Sequence, residues 1–488
     1  MVYWLVLATS RLRVPVWSAP ALVMFALGLW RLGRPGMWAD ELATWGAARM
    51  PVGNMLRMLG EVDAVDGLYY LVMNLWVHVA GSSEWALRFP SVLAMTAAAG
   101  LLAVLGRRLV SYRAGLVAGV AFALVPAASR YAQEARVYPF VMLGAIVATL
   151  LMDRILRRPS RRLLVGYAVT VALMGLLHIL AILIVAAHGV VALLSLWRSR
   201  RPVFWRWFLA ASLGVLPVLP LVWLSTEQTR QVSWIPESSV RTVIALPEKL
   251  TSVAAVGGFL LALAVLAYSR RRSSILVLSW FVVPPVVLFA AAQVHELFWY
   301  RYLLFTLPAL VLAAGITLAR ARLVPVVAGL VALAALGANI NLFYRWPDGH
   351  EHDTRGVGAL IAAEFRPGDA VAYALHEPVV PWEARDVVAR YVPADKRPRD
   401  AFALVGQRAG DNFLAKECPD DQLVRCLADA PRVWVIRFED KKLADPLKDL
   451  TDPKWESGAK ERLLRDDYRL EHAWAKRAFT VALYVRSS

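Results

Sequence analysis

Two adjacent carboxylates, Asp40 and Glu41, stand between Trp38 and Trp45 in the stretch GMWADELATW, directly after an apolar run. Acids held against a membrane face are costly unless paired, solvated or functional, and the two indoles restrict water here. Successive helical residues point about 100° apart. On a helix, one of the pair can act directly on a substrate and the other serves a neighbouring group. A loop-solubilising role, with Arg31, Arg34, Arg49 and Arg57 as counter-ions, suits Glu61 and Glu84 better than this pair. Guanidinium groups are the second chemical theme. They recur in SRYAQEARVYPF (Arg130, Glu134, Arg136, Tyr138), in HELFWYRYLLF (Arg301, Tyr302) and in WALRFPS (Arg88). Guanidinium stays charged in a low dielectric and binds phosphate oxygens two at a time. Arg88 and Arg130 fit snorkelling to lipid headgroups equally well; Arg136, flanked by Glu134 and Tyr138, fits a phosphate ligand better. His178, in GLLHILA, reads as a packing residue. No His/Cys/Asp group has metal-ligand spacing, and the HEHD run His350–Asp353 reads as a loop. No Walker loop, dinucleotide fingerprint or nucleophile elbow is present.

The elements that must position these residues are membrane helices. The 488 residues are 58% hydrophobic with a mean hydropathy of +0.51, too apolar for an ordinary soluble domain. Apolar runs of span length recur from Val14 to Ile340 and predict eleven spans, near 14–32, 90–106, 114–129, 137–152, 163–177, 179–197, 207–224, 251–268, 275–292, 302–319 and 323–341. The first is long enough to stay as an anchor rather than a cleaved signal. The net charge of +17 is a membrane signal, not a nucleic-acid surface. Loops on the N-terminal side carry nineteen arginines, among them Arg11, Arg13, Arg198, Arg200, Arg270 and Arg271, against the single acid Asp153. The opposite loops, Arg230 included, balance eleven bases with eleven acids. This asymmetry places the N-terminus in the cytoplasm. Six of the outer acids lie between Asp40 and Glu84, so the first outer loop, 33–89, is acid-rich. Its apolar segment Gly67–Gly81 would reach about 22 Å as a helix, short of a hydrocarbon core of about 30 Å. It is read as a juxtamembrane helix with Tyr69, Tyr70 and Trp76 as interfacial anchors.

After Arg345 the texture turns to mixed charge and short alternating segments, predicting helices at VGALIAAEF and WEARDVVARYV, strands at DAVAYAL and RVWVIRF, a helix near Lys460 and a terminal hairpin. The division expected is a membrane part, 1–344, and an extracytoplasmic α/β domain, 345–488. Cys418 and Cys426 both fall in that domain, where an oxidising compartment permits a disulfide; two separate buried thiols fit the spacing as well.

The acid pair after the first span, DAVDGLYY (63–70), RFPS (88–91), QEARVY (133–138) and Arg301-Tyr302 occur in an order that resembles the bacterial GT-C glycosyltransferases of the family 39 type, which include protein O-mannosyltransferases and the enzyme adding aminoarabinose to lipid A. Many relatives have two prolines where this chain has Asp66 and Gly67. The resemblance implies a polytopic helical membrane enzyme of the bacterial inner membrane. It implies transfer of a sugar, mannose or another hexose or pentose, from a polyprenyl-phosphate donor to a glycan, lipid or protein hydroxyl on the outer face, with inversion. Asp40 takes the role of base and Glu41 that of acceptor orientation or loop support. Arg136, Arg301 and Arg88, with Tyr138 and Tyr302, take the donor phosphate. Asp63, Asp66, Tyr70, Glu134 and His178 are supporting. The resemblance fixes no cofactor; a divalent metal stays open, and membrane lipids are partners. A transporter or flippase, and a polymerase or ligase of lipid-linked glycans, are the competing readings. Spans nearly free of internal charge, without repeated halves, count against transport.

Overall fold

The computed structural model describes residues 14–197, 201–228, 234–267, 272–374, 382–409, 412–438, 446–447 and 458–487; Arg11, Arg13, Arg198, Arg200, Arg230, Arg270 and Arg271 lie outside them. The chain divides into two compact units. One holds Met1–Trp30 and Arg88–Leu342, the other Arg31–Leu87 and Phe343–Ser488. The first outer loop, counted above with the membrane part, thus falls in the unit of the tail.

The first unit is helical. Among the described residues seven helices are long and apolar enough to cross a membrane: Glu84–Leu109, Tyr138–Arg157, Ile179–Leu196, Arg201–Glu227, Ser273–Ala291, Tyr300–Leu318 and Leu323–Phe343. Ser18–Leu29, Tyr112–Leu124 and Ala254–Val265 are shorter apolar helices. Each of the eleven predicted segments contains helix. Small residues let these helices approach closely, the packing mode available where lipid is as apolar as leucine. A Cβ on Gly115 would lie 2.1 Å from the Ala103 carbonyl oxygen, and one on Gly315 2.7 Å from the Ala118 Cα. Leu307–Leu318 is buried along almost its whole length, whereas Leu323 and Val324 of the last long helix are 71% and 78% exposed, as a lipid-facing surface requires.

The second unit begins with three helices, α1 (Ala39–Ala48), α2 (Val52–Glu61) and α3 (Gly67–Ala80). The tail adds α4 (Thr354–Glu364) and α5 (Glu383–Tyr391). Its strands are β1 (Ala370–Tyr373), β2 (Arg399–Asp400), β3 (Ala403–Val405), β4 (Lys416–Glu417), β5 (Arg432–Phe438), β6 (Tyr468–Lys476) and β7 (Phe479–Arg486). Five form a mixed sheet in the order β2-β1-β5-β7-β6, parallel from β2 to β5 and antiparallel beyond, with β3-β4 apart. The run RVWVIRF is buried at its first six positions, as a central strand covered on both faces should be. Cys418 and Cys426 are joined in a disulfide.

At fourteen residues, α3 reaches about 21 Å at 1.5 Å per residue, too short to span. Its expected tyrosine anchors are a correction: Tyr69 and Tyr70 are 1% and 0% exposed. The Tyr70 hydroxyl donates to Asp63, which sits in the left-handed region at φ 63°. Asn74 donates to the carbonyls of Ala48 and Met50. The face left open carries Val72, Leu75 and Val79 instead.

Candidate functional site

In the second unit the acid pair occupies the first turn of α1, where the helix dipole favours negative charge. The helix turns the two side chains apart. Glu41 is fully buried and meets His350 Nδ1 at 3.2 Å, whereas Asp40 keeps partial exposure. The start of α1 is tied to the tail by several bonds. Gly36 N donates to the Pro347 carbonyl at 2.7 Å, Met37 N to the Tyr391 hydroxyl at 2.8 Å, and Thr354 Oγ1 to the Met37 carbonyl at 2.9 Å. Both indoles are buried. Trp38 packs with Trp382 and Phe438, and the Trp45 ring meets the guanidinium groups of Arg49 at 4.7 Å and Arg390 at 5.6 Å.

The same unit holds a second pair, His352 of the HEHD run and Glu383 at the start of α5. His352 Nδ1 and Glu383 Oε1 are 2.5 Å apart, and the imidazole meets the Trp38 ring edge-on at 6.1 Å. Burial opposes charge on His352, but the Glu383 carboxylate outweighs it, with Glu351 and Asp40 adding, so the imidazole pKa is raised. Burial likewise raises Glu383, against the pull of His352.

In the first unit three separate segments converge. Tyr138 opens a helix after the QEARVY turn, His178 ends the helix Arg161–Leu177, and Tyr302 sits in the 3-10 turn Tyr300–Thr306. Tyr138 packs on Tyr131 at 5.5 Å and on His178 at 6.0 Å, and His178 on Tyr302 at 5.1 Å. Arg136, two residues before Tyr138, lies within electrostatic range of His178. Arg301 leans on the neighbouring Tyr300, its Nε donating to the hydroxyl at 3.4 Å. The QEARVY turn is itself rigid. Gln133 Nε2 donates to the Gly28 and Trp30 carbonyls at 2.9 and 2.8 Å, capping the first apolar helix, and Ser91 Oγ donates to the Glu134 carbonyl at 2.6 Å.

Two arginines correct the snorkelling alternative. Arg88 is fully buried, and Arg130 is 6% exposed and paired with the buried Glu134, so neither side chain reaches outward to headgroups. Asp63 and Asp66 belong to the turn before α3, where Asp63 holds Tyr70. No group of three or more His, Cys, Asp or Glu residues suited to a metal ion occurs among the described residues.

With this geometry in view, comparison defines the class first. The chain has the fold of the GT-C glycosyltransferases. The crystal structure of ArnT from Cupriavidus metallidurans in the apo state superposes with a TM-score of 0.59 at 13% identity, covering 99% of this chain and 98% of that one. ArnT bound to undecaprenyl phosphate gives 0.59 at 12% identity, covering 98% of each chain. The Archaeoglobus fulgidus oligosaccharyltransferase gives 0.51 at 11% identity over 87% of this chain and 68% of that one. At the level of family, residues 68–223 match the dolichyl-phosphate-mannose-protein mannosyltransferases. That segment contains Tyr70, Arg88, Glu134, Arg136, Tyr138 and His178. No curated protein sequence matches the chain.

Proposed function

We propose that this multi-pass membrane protein is a glycosyltransferase that moves a sugar from a polyprenyl-phosphate donor to an acceptor hydroxyl at the outer membrane face, with inversion. The observation that carries the reading is the meeting of Arg136, Tyr138, His178 and Tyr302 from three segments of the first unit. It is a built setting for a lipid phosphate, and the ArnT relative is known bound to undecaprenyl phosphate. In this mechanism the acceptor oxygen attacks the anomeric carbon. The bond from that carbon to the phosphate oxygen breaks with its electron pair, and the acceptor proton passes to Asp40. Polyprenyl phosphate leaves as a stable anion, so the reaction asks for one base and no general acid. Arg136 neutralises the phosphate charge that develops, with Arg301 and the two tyrosine hydroxyls as further ligands. Asp40 is the base because it is the partly exposed member of its pair. Glu41, buried against His350, holds the loop.

The direct test incubates purified protein with polyprenyl-phosphate sugars and measures release of polyprenyl phosphate, with polyprenyl-diphosphate sugars as the comparison. Release from the monophosphate donors alone supports the reading; release only from diphosphate donors replaces it with a polymerase or ligase. Arg136→Ala should weaken donor binding by about 1.5–3 kcal/mol, the range for a hydrogen bond to a charged group. Unchanged donor affinity would remove Arg136 from the phosphate site.

A further inference from the structure

We propose that His352 and Glu383 form a positioning pair for Asp40, the imidazolium of His352, anchored through Nδ1 by Glu383, acting as the fixed counter-charge against which the Asp40 carboxylate is oriented toward the acceptor hydroxyl. The inference rests on the assignment of Asp40 as base.

Geometry comes first. All three residues belong to the second unit, yet they arrive from distant points of the chain: Asp40 from the first turn of α1, His352 from the segment before α4, Glu383 from the first turn of α5. The imidazole is held on every side. Trp38, two residues before Asp40, meets it edge-on at 6.1 Å; Phe438 of β5 lies at 5.2 Å and Phe479 of β7 at 6.1 Å. Such a cage leaves the ring little freedom to rotate. Glu383 is 1% exposed, and its second oxygen, Oε2, has no hydrogen-bond partner among the described residues. A buried carboxylate so thinly satisfied is costly unless its one partner carries positive charge.

Charge points the same way. The groups acting on His352 are Glu383 from α5, Asp40 from α1 and Glu351 from its own segment, all acidic. Asp386 on α5 acts on Glu383 and is itself answered by Arg408. Asp353 faces Lys476 at 4.0 Å, and Arg477 nearby. An imidazolium bonded to Glu383 and within electrostatic range of Asp40 is therefore the arrangement in which these acids repel least. It resembles the logic of a carboxylate orienting a histidine in nucleophilic catalysis, except that here the histidine is placed to orient the base. A tail joined to the loop only for support would need the bonds from Gly36, Met37 and Thr354, but no caged imidazole at this place.

The test is the pH profile of kcat for sugar transfer by the full-length enzyme in detergent, with donor affinity and unfolding temperature measured alongside. In the wild type kcat should fall as pH rises through the raised pKa of His352, where the counter-charge is lost. His352→Gln should abolish that alkaline limb and lower kcat about tenfold with donor affinity unchanged. Glu383→Gln should move the limb to lower pH by at least about one unit, the usual effect of an adjacent opposite charge. If Asp40→Asn retains turnover, the base assignment falls and the pair with it. If Asp40→Asn is inactive while both tail variants keep the wild-type limb, the base stands and the pair is overturned. If His352→Gln lowers the unfolding temperature, the near-isosteric Glu383→Gln decides, and a limb unmoved in its folded fraction overturns the pair.

Discussion

Asp40 and Glu41 differ by one position, and one helical step gives them different surroundings. Glu41 turns inward, is fully buried and meets His350; Asp40 keeps partial exposure. Asp40→Asn should therefore abolish transfer, by a factor of at least about 100 on the usual scale for a general base, and leave the unfolding temperature within a degree or two. Glu41→Ala should do the reverse in emphasis: it strips a buried histidine of its carboxylate and should cost about 3–5 kcal/mol of stability. Rate and thermal unfolding measured on the two variants check both halves. Near-normal turnover by Asp40→Asn would reject the assignment. That the two acids diverge was legible in the sequence, because helical geometry forbids adjacent residues one target. Which of them turns inward was not, since the deciding partner lies 309 residues away in a run that shows neither metal spacing nor periodicity.

Helix α5 shows what an element adds to such residues. Its first two turns place three charged side chains inside the tail, each answered from elsewhere: Glu383 by His352, Arg385 by Asp400 at 2.7 Å and by Glu417, and Asp386 by Arg408 at 2.6 and 2.7 Å. Lys460 completes the group on Glu417. Burial raises Asp386, and Arg408 opposes it. Arg408→Ala would leave that carboxylate buried without its cation and should destabilise the protein by about 3–5 kcal/mol; a thermal midpoint equal to the wild type would show the network to be energetically neutral. The pattern of WEARDVVARYV marked the helix, and DAVAYAL, RVWVIRF and the terminal hairpin marked four strands of the sheet. The two-residue strands β2 and β4 and the parallel pairing of β1 escaped, because pieces that short carry no period and parallel order is set by packing over long separations. In the membrane part, hydropathy found the helices, but not the meeting of Arg136, Tyr138, His178 and Tyr302. Each of those lone residues has a bland reading by itself, and the packing expected of His178 is met by the rings of Tyr138 and Tyr302.

At the scale of the molecule the proposed transfer requires an orientation, and the charge distribution predicts one. With the eleven spans expected from hydropathy, nineteen arginines and one acid fall on the loops of one side, eleven bases and eleven acids on those of the other, and the tail from Arg345 onward is nearly neutral. Basic loops are retained in the cytoplasm, so the expectation is that the tail and the acid pair lie outside. The chain offers a direct check, because Cys418 and Cys426 are its only two cysteines and are bonded to each other. A cytosolic pair would be kept reduced, whereas an external pair persists as a disulfide. A membrane-impermeant maleimide should therefore label neither cysteine in right-side-out vesicles until an impermeant reductant is added, and then both. In inverted vesicles the same reagents should label nothing before detergent is added. Labelling without reductant in inverted vesicles would place the tail in the cytosol. Asp40 would go with it, since α1 is bonded to that tail through Met37, and transfer at the outer face would have no base.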